Sequence, residues 1–260
     1  MTHLTRTTGE QPAARAARAL RRGLRRTVRD DRGFSLIELL VAMGLLTVLL
    51  VLAGALFIGA SKISTSARYA SVDSGVATNV MNEASNVVRF GTKIRAVTNS
   101  CNSVPAVVQA TASTFMVYSG LAGDPVTATG AAPALVLLTV DASGNLIEKQ
   151  WAATKITNGC ITYPTISTAA VPATVSAAPV STRIIGGPLT KSPSGGYALF
   201  SYADATGAAV PLGSGQVASG SLVNIASVQL DVAVDTSKGS SKIPVHLQGS
   251  VSLQNPGTEF

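Results

Sequence analysis

Hydrophobic and polar positions divide the chain into distinct regimes. From Leu39 to Ala60, 22 consecutive residues carry neither charge nor proline. At about 1.5 Å per residue such a helix covers ~30 Å, the thickness of a bilayer's hydrocarbon core, and a helix in a soluble core is rarely apolar on every face for so long. After Lys62 the pattern turns amphipathic. Val72, Val76, Val80, Ala84, Val87 and Ile94 recur at steps of three or four with Gly91 filling a gap, while Asp73, Asn79, Asn82, Glu83, Asn86 and Arg89 take other faces. The two regimes predict one helix from Phe34 to about Phe90, roughly 85 Å long, with a membrane half over 34–60 and an amphipathic half over 61–96. No proline falls between Pro12 and Pro105 to kink it. Gly44, Gly54 and Gly59 are its weak points, each costing about 1 kcal/mol relative to alanine.

Beyond it, residues 97–260 read as a β-rich head, with short apolar runs separated by Gly, Pro, Ser and Asp. Residues 134–154 (ALVLLTVDASGNLIEKQWAAT) predict a hairpin turning at Asp141–Asn145, and 197–212 a second turning at Asp204–Gly207. Val223, Ile225, Val228, Leu230, Val232 and Val234 alternate, with a phase slip near Ala226 that suggests a bulge. Residues 243–255 alternate in turn and would pair with that strand across the loop 236–242. The Ala/Val/Pro/Ser/Thr-rich tract Ile166–Thr182 reads as a long surface loop.

Charge changes the picture at the amino terminus. Residues 1–33 hold nine of the twenty basic residues, all Arg, and three of the thirteen acids, a net of +6, which leaves 34–260 at +1. The basic pI near 9.7 therefore belongs to the first 33 residues. An arginine cluster before the apolar run, with only Lys62 and Arg68 soon after it, is a positive-inside pattern. It predicts a cytoplasmic amino terminus and a head on the far side of the membrane. An ordinary secretory signal has a shorter apolar core and no acid within it. Here Glu38 sits at the start of the run, and an intramembrane carboxylate is a functional candidate by default.

The residues around Glu38 carry a resemblance. RGFSLIELLVAMGLL (32–46) resembles the processing site of type IV prepilins and type II secretion prepseudopilins. The resemblance implies that a prepilin peptidase removes the basic leader 1–33 after Gly33 and methylates the new amine of Phe34. It also implies that Glu38, fifth in the mature chain, pairs across subunits with a neighbour's amino terminus. A buried carboxylate without a partner is costly, and such a pair removes that cost only in the correct axial register. The implied fold is α+β and pilin-like: a long amino-terminal helix on an antiparallel β-sheet head. The implied partners are other pilin or pseudopilin subunits, the pilus assembly platform and membrane lipid. The strand F-x-Y (200–202), the DATG that follows it and the VSLQN at 251–255 are similar to the head of larger minor pilins, as is the mature span 34–260.

Cys101 and Cys160 both fall on the exported side, where thiols are normally oxidised. Joined, they close a loop of about 60 residues and stabilise by about 4 kcal/mol on chain-entropy grounds. Two free buried thiols are the alternative. The sequence holds no G-x-S-x-G, no phosphate-cradling glycine loop and no C-x-x-C. Its two histidines, His3 and His246, lie in the leader and in a predicted strand, and Asp231 with Asp235 reads as a solvated edge and turn. No enzyme, no cofactor and no metal site is expected. Two further functions stand beside a filament subunit: a membrane-anchored or secreted β-rich binding protein, and a DNA-uptake pilus subunit. The near-zero charge of 34–260 speaks against the last.

Overall fold

The computed structural model describes residues 35–97, 100–120, 132–193, 195–236, 244–253 and 255–259. The chain divides into two units, 1–62 and 63–260. One helix, α1, runs over Leu36–Arg89. It passes Gly44, Gly54 and Gly59 without a break, and a Cβ at any of the three would meet nothing within 4 Å. Arg89 in the last turn suits the negative end of the helix dipole. Gly91 follows, bonded to Val88 O (3.0 Å), and the chain bends into strand β1, Thr92–Ala96. The helix thus ends where expected, near Phe90, while Ile94, counted into its amphipathic stripe, belongs to a strand.

In the second unit the middle layer is a five-stranded antiparallel sheet ordered β11-β6-β5-β4-β3. Its strands are β3 (Val107–Ala110), β4 (Thr114–Ser119), β5 (Ala134–Val140), β6 (Leu146–Trp151) and β11 (Ser181–Gly186). Every residue of β4 and the first six of β5 are buried, so their continuous apolar runs match a sheet covered on both faces. A three-stranded sheet, β12 (Phe200–Ala203), β13 (Ser227–Val234) and β14 (Val245–Ser252), supplies the second wall of the main core. Val228, Leu230, Val232 and Val234 face that core while Gln229 and Asp231 face out, the period-2 alternation of a one-sided sheet.

The helix residues Ala77, Val80, Ala84, Val87 and Val88 enter the same core. Small residues let the backbones approach: a Cβ on Gly186 would lie 2.8 Å from Val80, and Asn79 Nδ2 donates to Ile185 O at 2.7 Å. Val72 is exposed, and the neighbouring Asp73 is buried instead. Its Oδ1 accepts from the backbone N–H (3.1 Å) and hydroxyl of Thr236. Arg183 on β11 bridges Glu83 of the helix (3.1 Å) and Glu148 of β6 (2.9 Å), the latter almost fully buried. Those two carboxylates hold the guanidinium pKa above its ordinary value, with the hydrogen bond to Glu148 the larger influence.

A second core covers the other face of the middle sheet, joining Met116, Tyr118, Leu135, Leu137 and Trp151 to Ile94, Ile161 and Tyr163. The Tyr118 and Tyr163 rings lie 4.9 Å apart, and burial pushes the Tyr118 hydroxyl up to about 12. Its covering layer includes β2 (Asn102–Val104), β7 (Lys155–Thr157) and β8 (Cys160–Thr162) around β1, and β1 also pairs in parallel with β8 and with β15 (Asn255–Glu259).

The expected hairpin over 134–154 forms as β5 and β6. Asp141 Oδ1 accepts from Asn145 N at 2.7 Å, Gly144 supplies a φ of +85°, and the Asn145 bond leads in holding the Asp141 carboxyl below its ordinary value. The turn at Asp204–Gly207 also forms, but its return arm makes only the Ala203–Ala209 bridge and β12 pairs with β13. The slip near Ala226 is the start of β13, since Ser219–Asn224 is a 3-10 helix. Residues 166–182 are not one open loop. β9 (Ile166–Ser167) pairs with β10 (Thr174–Val175), and the tract runs on into β11. The buried Gln109 pins it, donating to Ala170 O at 2.8 Å and accepting from Ala173 N at 2.7 Å.

Candidate functional site: the amino-terminal helix

Gly33 and Phe34, the expected cleavage and methylation positions, lie outside the described residues. The helix begins directly after them. Glu38 N and Leu39 N both donate to Ser35 O, at 2.9 and 3.1 Å, closing the first turn. Glu38 is exposed in that turn, where a carboxylate complements the positive end of the helix dipole. No other charge follows until Lys62.

Among its described residues, the first unit buries none of its large apolar side chains. Leu36 is 81% exposed and Phe57 76%, and an apolar stretch of the helix long enough to cross a membrane has no buried residue. Apolar area costs about 25 cal/mol per Å² in water, so this surface fits a lipid or protein environment that the isolated chain does not supply. Between residues 36 and 60 the one hydroxyl side chain, Thr47, bonds back to Gly44 O at 2.8 Å, the local pairing that a non-aqueous medium demands. By length and composition the helix is able to cross a membrane.

Cys101 and Cys160 form a disulfide, with Cα atoms 5.5 Å apart. It joins the segment after β1 to the start of β8 and so closes the edge of the second core. Cys101 at one end of this staple, and Asn158 two residues before the other, both adopt positive φ.

Asp231, Asp235 and His246 were expected to be unremarkable strand and turn residues. The structure places Asp231 and His246 on the outer face of β13 and β14, where His246 Nδ1 lies 3.1 Å from Asp231 Oδ1. They border a cleft with Lys191 and Tyr197. No local motif announces this group, because it is assembled from two strands and a loop some forty residues earlier. The single sequence signal was the register of the last hairpin, which pairs Ala233 with His246 and Asp231 with Gln248.

Residues 28–54 match the family described as the prokaryotic N-terminal methylation motif. The match spans the expected cleavage site, Glu38 and the first part of the helix, and it supports the prepilin-type family for that segment. No curated protein matches the chain.

Proposed function

We propose that this chain is a minor structural subunit of a type IV pilus or a type II secretion-like pseudopilus. A prepilin peptidase cuts after Gly33 and methylates Phe34, and the mature chain enters the filament through its apolar helix. One observation carries the proposal: the methylation motif leads into a helix whose first stretch, residues 36–58, is apolar on every face and uncovered. Packing among such helices in a filament, or lipid before assembly, supplies the missing cover. Glu38 then acts in assembly, neutralised by the amine of a neighbouring Phe34, and not in catalysis. The head would face outward, and its size suits a component at the tip.

Mass spectrometry of the mature amino terminus, with and without the peptidase, tests this. The expected product begins at N-methyl-Phe34. A chain that starts after Ala55 or Ala60, or one that keeps its leader in the membrane, overturns the proposal in favour of a secreted or membrane-anchored binding protein.

A further inference from the structure

Asn158 and Gly159 form the sole Asn-Gly pair in the chain, and both are exposed. They are the two loop residues of the β7–β8 hairpin, since Thr157 pairs with Cys160. With φ of +49° and +77° they match the two-residue turn in which both central residues are left-handed. An Asn-Gly pair is also the dipeptide most prone to deamidation, because glycine has no Cβ to shield its nitrogen. That reaction has a geometric demand. The Gly159 nitrogen must reach the Asn158 side-chain carbonyl carbon, which requires a strongly negative ψ at Asn158, whereas a left-handed residue holds ψ at about +47°. The closed turn therefore protects Asn158, and only an open one can react.

The turn is held weakly on one side and covalently on the other. β7 is the outermost strand of its sheet, three residues long, and among the described residues it pairs with β8 alone. Thr154 extends the hairpin by two bonds to Thr162 O, from its N–H at 2.7 Å and its hydroxyl at 3.0 Å. Cys160, directly after Gly159, is joined by the disulfide to Cys101, and Cys101 N donates to Ala96 O of β1 at 3.1 Å. The register between β8 and β1 itself consists of Ala96 opposite Ile161. The disulfide is thus a tie between the hairpin and β1 that so short a strand pairing does not replace.

We infer that Asn158 is a deamidation site that the fold keeps closed and that loss of the Cys101–Cys160 disulfide opens. In the open turn the Gly159 nitrogen attacks Asn158 Cγ. A C–N bond forms to that nitrogen, the bond from Cγ to the side-chain amide nitrogen breaks, and ammonia leaves with the glycine proton. Water then opens the succinimide at either carbonyl and gives aspartate or isoaspartate, with no oxidant or reductant consumed. Isoaspartate adds a methylene to the main chain, so the two-residue turn cannot re-form and Thr157 no longer opposes Cys160. A head that a thiol has reduced, or that was exported without its disulfide, is thereby marked irreversibly at its edge. The inference is independent of the filament, and a chain that is only anchored in a membrane would react in the same way.

Peptide mapping by mass spectrometry tests it, on the full chain in detergent micelles at mildly alkaline pH. Deamidation is read as the mass gain of amide-to-acid exchange, and isoaspartate by its separate elution. Three samples are compared: the oxidised chain, the chain kept reduced with dithiothreitol, and the oxidised chain unfolded in guanidinium. Asn158 in the oxidised, folded chain is expected to react about tenfold or more slower than in the unfolded one, and reduction is expected to restore most of that factor. Near-UV circular dichroism of the reduced sample separates local opening from loss of the whole head. If the whole head is lost, Thr154→Val decides the matter, because it removes one exposed hairpin bond and leaves the disulfide in place. That variant is expected to speed the reaction at Asn158 by about threefold. Equal rates in the folded and unfolded oxidised chains, a rate unchanged by reduction, or no acceleration in Thr154→Val overturns the inference.

Discussion

The two ends of α1 invert the usual link between hydrophobicity and burial. Residues 36–58 are the most apolar stretch of the chain, and none of their large side chains is covered. Residues 73–88 are mixed in sequence, with Asp, Asn, Glu and Thr among them, yet Ala77, Val80, Ala84 and Val88 are fully buried. The difference is one of solvent. The second stretch needs one narrow stripe of small residues to meet β11 and β14 at close range, and polar residues on the other faces stay in water. The first stretch is apolar on every face, as suits an environment without water on any side.

The sharpest way to break this comparison is to place the same charge in both stretches. Val80→Asp puts an unpaired carboxylate into the main core, where the cost of several kcal/mol is comparable to the whole stability of a domain. The head is expected to lose its cooperative melting transition in near-UV circular dichroism. Leu49→Asp is expected to leave that transition unchanged and to reduce membrane retention, since an acid at the centre of a spanning helix costs about 2.5–3.5 kcal/mol on insertion scales. A loss of head structure in Leu49→Asp would mean that the first stretch is part of the soluble core after all.

The disulfide sharpens the comparison from the side of the second core. The double variant Cys101→Ser, Cys160→Ser is expected to destabilise the head by about 4 kcal/mol, read as a lower denaturation midpoint. Membrane retention should not change. An unchanged midpoint would mean that the covering layer of β1, β7 and β8 needs no staple.

How much of this was legible in the sequence follows from how local each signal is. The helix, the 134–154 hairpin and the pairing of β13 with β14 rest on periodicity and turn residues close together in the chain, and all three were expected. The tract 166–182 was misread because its order comes from Gln109, some sixty residues earlier, bonding to its backbone. Its composition carries no trace of that. The helix stripe was misplaced by one position at its start for a similar reason. Val72 is exposed and Asp73 is buried, bonded to Thr236, which lies 163 residues further along the chain. The processing motif was legible because it is a run of consecutive residues, whereas the cleft at Asp231 and His246 depends on a loop that no local pattern ties to those strands.

Asp73 offers the finest test, because it is a charged residue buried at the very place where the polar half of the helix begins. With Oδ1 held by the Thr236 backbone and hydroxyl, removal of the carboxylate leaves two donors without their partner at a partly buried site. Asp73→Ala is therefore expected to cost about 1–3 kcal/mol. Thr236→Val keeps the backbone donor and the side-chain shape but loses the hydroxyl, so its cost should be about 1 kcal/mol. The double variant separates pairing from packing: if the bond is what selects Asp73 over Val72, its cost falls below the sum of the two single variants, because the orphaned hydroxyl is gone as well. Additive costs in chemical denaturation would show that Asp73 is buried by the backbone path alone, and that the stripe is set by helix geometry rather than by Thr236.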